Sequence, residues 1–251
     1  MQFRFHDTTI RVNMPDRAAL LAAVAARWQA GEGFALATVN LDHLVKLRGS
    51  AGFRAAYAAQ DLVVADGNPV VWLSRLAGRS VGLVPGSELV LPLARLAASQ
   101  GVAVALVGST EAALAGAAAR LQAEVPGLRV ALTLAPPMGF DPEGPAAADV
   151  LAQVADSGAR LCLLALGAPK QEQLAARGRV LAPGVGFASV GAGVDFLAGT
   201  QVRAPVWVRR IAMEWAWRML SNPRRLAGRY AACAAILPGQ AAQALALRRG
   251  G

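Results

Sequence analysis

This chain has little of what most enzymes use for proton transfer and metal binding. It contains two histidines, His6 and His43, and two cysteines, Cys162 and Cys233. The histidines are far apart and fit no ligand spacing, so no metal site is read from the sequence. The cysteines form no CxxC or disulfide framework, which suits a reducing compartment. Cys162 lies inside an apolar run and reads as a core residue. No GxSxG, catalytic triad or nucleophilic cysteine context is present. Both glycine-rich phosphate loops, GxxxxGKS/T and GxGxxG, are missing too. The first thirteen residues alternate like a strand and show no signal-peptide core. No uninterrupted apolar run reaches the roughly 18 residues of a spanning helix. Charged residues make up 16% and hydrophobic ones 55%, enough for one large domain or a domain with an appendage. With histidine scarce, acid–base chemistry falls to carboxylates.

Alternation fills the body of the chain. Short apolar runs at 34–39, 62–65, 102–107, 129–134, 160–166 and 186–190 read as strands. Helical spacings separate them, at 17–29 behind Asp16, 44–48, 52–60, 70–76, 87–99, a helix ending at Glu124, 146–157 and 170–177. Residues 2–13 read as a hairpin or edge strands. The expected class is α/β, a mostly parallel sheet with helices on both faces. The division expected is a catalytic body, 1–202, and a helical appendage, 203–251. In the appendage, 207–220 and 224–237 read as helices followed by a weak tail.

Charge divides the same way. From Arg203 onward there are nine arginines and one acid, Glu214, a net +8 that leaves +1 for residues 1–202. Such segregation points to an anionic partner: a membrane surface, a nucleic acid or a phosphorylated ligand. On a single helix over 206–220, Val208, Ile211, Ala212, Trp215 and Met219 would share a docking face, with Trp217 opposite beside Arg210. Tryptophan and arginine on an exposed flank suit a membrane interface.

Parallel strands gather their last residues at one edge, where α/β sheets bind ligands. Thr38 and Asn40, Asp66 and Gly67, Gly108, Ser109 and Thr110, Gln171, and Gly191 and Asp195 all fall there. Each has an ordinary alternative as a turn former or cap; Asp66 in particular reads equally as a helix cap. Gly108-Ser109-Thr110 and Gly167-Ala168-Pro169-Lys170-Gln171 precede helices, so backbone N–H groups and Lys170 could meet a phosphate there. Glu172 reads alternatively as a capping acid.

The ordered set Thr38-x-Asn40, Ala65-Asp66-Gly67, Gly86-Ser87-Glu88-Leu89, Gly167-x-Pro169-Lys170-Gln171-Glu172, Gly191-Ala192-x-x-Asp195-Phe196-x-x-Gly199, Arg203-Ala204-Pro205 and Glu214-Trp215-x-x-Arg218-Met219-Leu220-x-x-Pro223-x-Arg225 resembles the WecG/TagA/CpsF family of bacterial glycosyltransferases, glycosyltransferase family 26. It covers about residues 8–230. The resemblance implies a Rossmann-like, metal-independent, cofactor-free enzyme. It would move a sugar (an N-acetylhexosamine, its uronic acid or a hexose) from a UDP-sugar to a polyprenyl-diphosphate-linked saccharide, with inversion. The pathway would build teichoic acid, enterobacterial common antigen or exopolysaccharide on the cytoplasmic face of the membrane. Asp66 matches the general base, and Thr38, Asn40 and Gln171 match residues around the reaction centre. The basic segment matches an appendage that closes the site and docks on the membrane. One position departs: Leu83 stands where the family usually has Arg, and Arg79 is on a different spacing. Arg218, Arg224 and Arg225 are then the candidate cations for a diphosphate.

Two other classes fit parts of the chain. A nicotinamide-dependent oxidoreductase shares the alternation but lacks its fingerprint. A nucleic-acid-binding module shares the basic segment, whose tryptophans suit a bilayer better than a groove. No nucleic acid is expected as partner; a homo-oligomer is compatible with the sequence.

Overall fold

Each inner strand is apolar on both faces, so each has to be covered twice. The computed structural model describes residues 1–5, 8–201, 204–205, 207–208, 212–221 and 223–250, with Arg218, Ser221 and Arg225 described in backbone only. In chain order the elements are β1 (Gln2–Phe5), β2 (Thr8–Arg11), α1 (Arg17–Gln29), β3 (Phe34–Val39), α2 (Leu41–Gly49), α3 (Ala51–Ala58), β4 (Leu62–Ala65) and α4 (Asn68–Leu76). A 3-10 turn at Gly86–Glu88 precedes α5 (Val90–Ser99), β5 (Val104–Gly108), α6 (Glu111–Glu124), β6 (Val130–Leu134) and α7 (Pro145–Asp156). Then come β7 (Leu161–Ala165), α8 (Lys170–Leu181), β8 (Gly186–Ser189) and α9 (Gly193–Ala198), followed by helices Glu214–Ser221 and Pro223–Arg249.

Six strands form one sheet in the order β4-β3-β8-β7-β5-β6, with every pair parallel. Side chains alternate between its faces. Leu36 enters a core with α1, α5 and α6. Ala37 and Val39 face α2, α3 and α4, while Ala35 faces α7 and α8, where Cys162 is fully buried. The expected α/β architecture is therefore the observed one. The β1–β2 hairpin buries Phe3, Phe5 and Ile10, each worth roughly 1.5–3 kcal/mol. The segment after it guards the open edge of the sheet: Asn13 Oδ1 accepts the Val63 N–H at 2.8 Å, and its own amide donates to the Asp61 carbonyl at 2.7 Å. An edge strand whose donors are engaged this way cannot recruit another chain.

The C-terminal part differs from the sequence expectation. Trp207 and Val208 are helical, but Ala212 sits at φ 60° and helix resumes only at Glu214. A left-handed residue cannot sit inside a right-handed helix, so the single docking face drawn over 206–220 does not exist. Trp215 is 46% exposed and meets Tyr230 edge-on at 5.9 Å. The second expected helix, 224–237, instead runs 27 residues through Pro238. An internal proline costs about 3 kcal/mol. The helix offsets it by burying one stripe, Leu226, Cys233, Ile236, Gln240 and Ala244, with Ile236 and Ala244 in the core shared by α2 and α4. The same helix, Leu226–Arg249, is long and apolar enough by length and composition to cross a membrane, which the sequence reading had not found. Its one buried stripe packs on the body, and the rest of the helix surface is largely exposed.

Candidate active site

The carboxyl edge of the sheet collects polar groups because β3, β4, β7, β8 and β5 all stop there. The crossover from β5 leads outward through α6 to β6, and that from β7 leads inward through α8 to β8. The two strands are neighbours, so a crevice opens between their ends.

On the β3–β4 side, Thr38 is 4% exposed and its hydroxyl faces Asp66 Oδ2 at 3.5 Å, the long limit of hydrogen-bond reach. Asp66 donates its backbone N–H to the Val39 carbonyl at 2.8 Å. It is not the cap of α4. Gly67 holds that position at φ 106°, with no side-chain cap bond, a backbone conformation that favours glycine. Asp66 therefore stands one residue before the cap. Asn40 does act as a cap: its Oδ1 accepts the His43 N–H at 3.0 Å and starts α2. That leaves its amide NH2 as the end able to meet a substrate. Asn40 also neighbours Gly67, where an added Cβ would lie 3.9 Å from the Asn40 Cβ.

Beneath Thr38 lies a pair that sequence reasoning missed. Tyr57, buried on α3, donates to the Thr38 carbonyl at 3.3 Å, and His43 Nδ1 lies 2.6 Å from the same hydroxyl. A hydroxyl donates once, so His43 Nδ1–H is the donor to Tyr57 when Tyr57 donates to Thr38. Burial, then the charge of Lys46, pushes the His43 pKa down to about 3, and burial pushes the Tyr57 phenol up. The imidazole is thus neutral across the physiological range. A tyrosine in the alanine-rich, apolar helix 51–58 was the available signal, since a buried phenol needs a partner.

On the α8 side, Gln171 and Glu172 are 3% and 0% exposed. Gln171 donates to Glu172 Oε1 at 2.9 Å. Among the described residues, Gln171 Oε1, Glu172 Oε2 and the nearby Ser189 Oγ have no partner. Burial raises the Glu172 carboxyl to about 7. Glu172 does lie in the first turn of α8, as a helix-start acid would, but it is fully buried and not on a surface loop.

The β5 side behaves differently. Gly108, at φ 119°, is required by its neighbour, since a Cβ would lie 2.6 Å from the Ala165 carbonyl oxygen. Ser109 donates to Asp195 Oδ1, and Gln201 donates to Asp195 Oδ2 at 2.9 Å. Thr110, not Ser109, caps α6. Lys170, expected beside a phosphate, donates to the Phe140 carbonyl at 2.7 Å and pins the 135–144 loop. Gly167 and Gly191 both adopt positive φ at the ends of β7 and β8.

Leu83 is paired beside the end of β4, bridging to Ala65, and is 41% exposed. Arg79 follows the far end of α4, its backbone N–H donating to the Ser74 carbonyl. Trp217 is 38% exposed and Arg224 is exposed in the first turn of the terminal helix. Arg210 lies outside the described residues, as do the side chains of Arg218 and Arg225. That helix is tied to the site's surroundings through Asp42, which meets Arg229 at 2.8 Å and Lys46 at 2.9 Å; Lys46 also donates to the Ala168 carbonyl at 3.1 Å. Among the described residues, no three His, Cys, Asp or Glu gather as metal ligands.

Compared with known protein families, the chain matches the glycosyl transferase WecG/TagA/CpsF family over residues 6–250.

Proposed function

Because this chain belongs to the WecG/TagA/CpsF family of glycosyl transferases, we propose that it moves a sugar from a UDP-sugar to a polyprenyl-diphosphate-linked saccharide, with Asp66 as general base. Membership makes it a glycosyltransferase of cell-surface polysaccharide synthesis; donor, acceptor and base are our reading. The observation that carries it is the gathering of Thr38, Asn40 and Asp66 at the carboxyl edge: the Thr38 hydroxyl lies 3.5 Å from Asp66 Oδ2, and Asn40 neighbours Gly67.

Inverting transfer needs the acceptor hydroxyl deprotonated on the face opposite the leaving group. Asp66 takes that proton, a role worth typically 10²–10⁴-fold in rate. Thr38 orients the carboxylate. Asn40 offers its amide to the reacting sugars. As UDP departs, negative charge grows on its diphosphate and needs preorganised donors. The N–H groups around Gly108, Ser109, Gly167 and Gly191 supply these at the β5–β7 crevice, with arginines of the 203–251 segment closing over it. That segment, with its exposed tryptophans and excess of arginine, is our membrane-docking element on the inner face of the plasma membrane. No metal or cofactor is required in this scheme, so a chelator leaves the rate unchanged.

The test is a screen of UDP-sugars against short-chain polyprenyl-diphosphate saccharides, reading UDP release and product mass. UDP release that needs both substrates supports the reading. Nicotinamide binding without UDP binding would return the oxidoreductase class, and steeply salt-dependent DNA binding without transfer would return the nucleic-acid class.

A further inference from the structure

The buried pair at the start of α8 makes a demand that its neighbours do not meet. Buried polar atoms are almost always hydrogen-bonded, and an exception asks for a functional or structural reason. Here two adjacent side chains each keep an acceptor oxygen without a partner among the described residues: Gln171 Oε1 and Glu172 Oε2. Their shared contact determines which atoms are left over. An ionised Glu172 can only accept, so Gln171 must turn its NH2 toward it, as the 2.9 Å bond requires. The amide oxygen then points the other way, toward the end of β8, where a Cβ placed on Gly191 would lie 3.9 Å from it. Gly191 has no side chain to cover that oxygen.

We propose that Glu172 is a positioning residue that, when ionised, holds Gln171 as a hydrogen-bond acceptor toward the donor substrate, so that Gln171 selects a hydroxyl or N–H on the transferred sugar or its base. The inference rests on the UDP-sugar reading for the identity of the substrate, but not for the orientation of the amide. Protonation removes the constraint. A neutral carboxyl carries an O–H that can donate to Gln171 Oε1, which lets the amide turn and present NH2 to the site instead. The substrate group satisfied in one state meets a second donor in the other.

The surroundings leave this carboxyl free to change state near neutrality. Burial pushes it up to about 7, opposed by the Gln171 bond, then by the Glu172 backbone N–H and then by the charge of Lys46. Tyr57 on α3 faces it and stays protonated, held up first by burial and then by the charges of Glu172 and Asp66. His43 on α2, bonded to Tyr57, is neutral. The strands against α8 bring only Cys162 as a titratable group, a buried thiol pushed up by desolvation. Asp149 and Asp156 of α7 are exposed. Gln60, between α3 and β4, donates to the Glu172 backbone carbonyl at 3.1 Å, holding the main chain without engaging the carboxyl.

The experiment follows the Gln171 side-chain amide by proton–nitrogen correlation NMR from pH 5 to 9, assigned by its loss in Gln171→Glu. In the unaltered chain the signal should move with a midpoint near pH 7, and in Glu172→Gln it should stay fixed. A flat signal in the unaltered chain overturns the proposal, and this readout needs no activity. In parallel, the KM for UDP-N-acetylglucosamine and other UDP-sugars is measured over the same range. A rise of about five- to tenfold below the midpoint is expected for one hydrogen bond lost, absent in Glu172→Gln. Amide titration with an unchanging KM overturns the substrate part. Failure to bind UDP or any UDP-sugar overturns the transferase reading, while the amide titration still decides the orientation.

Discussion

The two ends of the sheet treat their polar atoms in opposite ways. At the amino end, Asp61 is fully engaged: Oδ2 accepts the Ala35 N–H and the Arg179 Nε, each at 2.8 Å, and Oδ1 meets Arg27 at 3.2 Å. Arg179 also donates to the Pro183 carbonyl, and Arg160 and Trp28 exchange bonds with each other's carbonyls. At the carboxyl end, Gln171, Glu172 and Ser189 hold buried oxygens without a partner among the described residues. Thr38 meets Asp66 only at long reach. A satisfied network contributes stability, while an unsatisfied one waits for a substrate. One sheet thus carries a stabilising end and a reacting end, and substitutions should separate them.

The largest separation is expected at Asp66. Asp66→Asn should lower kcat by about 10²–10⁴-fold while the melting temperature and UDP binding stay near those of the unaltered chain. The measurement pairs a transfer assay with calorimetric UDP titration; full activity would remove Asp66 as the base. Asp61→Asn is the mirror experiment. Loss of its charge leaves Arg27 and Arg179 without their partner in a site whose carboxylate side chain is 21% exposed. We expect on the order of 2 kcal/mol of destabilisation, discounted from the fully buried case for that exposure. Thermal unfolding should show the loss while kcat of the folded fraction is kept. A fallen kcat at unchanged stability would end the division.

Tyr57→Phe tests whether the layer beneath Thr38 belongs to the reacting end. The change removes the donor to the Thr38 carbonyl and the partner of His43 Nδ1. We expect a fall in kcat of about tenfold or less, with KM for the donor nearly unchanged, since Tyr57 acts through Thr38. His43 also gives the fold an acid weakness. Its folded pKa lies below its ordinary value, at about 3, so its contribution is present above pH 6.5 and is lost as pH falls toward 3. Glu172 works oppositely: raised to about 7, its contribution is full below pH 4.5 and lost as pH rises through 7. A neutral Gln at 172 should therefore be relatively more stabilising at pH 8 than at pH 5, as denaturant titration at the two values would show.

How legible this was in the sequence follows from distance along the chain. Strand runs of one apolar period and a cap such as Asp16 are written within a few residues of where they act, and they were readable. The collection of Thr38, Asn40 and Asp66 followed from parallel strands ending together. Partners far apart were not readable. Asp61 and Arg179 are 118 positions apart, and no local pattern announces either. Glu172 looked like an ordinary first-turn acid because its full burial depends on α3 and the sheet. The last helix was expected to end at 237, since the tertiary contact that carries it past Pro238 lies on α2 and α4. Ala212, in a left-handed conformation, has a side chain that predicts helix.

The smallest effect should come from Ser109, and it bears most directly on where the reacting end stops. Ser109 lies at the carboxyl edge, so position alone would count it with Asp66. Its hydroxyl, however, is already bonded to Asp195, and the other Asp195 oxygen to Gln201. These atoms satisfy one another as Asp61 and its arginines do. If partnered atoms contribute stability and unpartnered ones contribute recognition, Ser109→Ala should cost a fraction of the typical ~1 kcal/mol of a hydrogen bond, because Asp195 keeps Gln201 and its access to water. The donor KM should then change by less than about threefold. Backbone N–H groups at Gly108 and Ser109, which the substitution leaves in place, would go on meeting the diphosphate. A tenfold or greater rise in KM would mean that UDP displaces Asp195 from the hydroxyl, and the reacting end would have to be extended across the β5–β7 crevice.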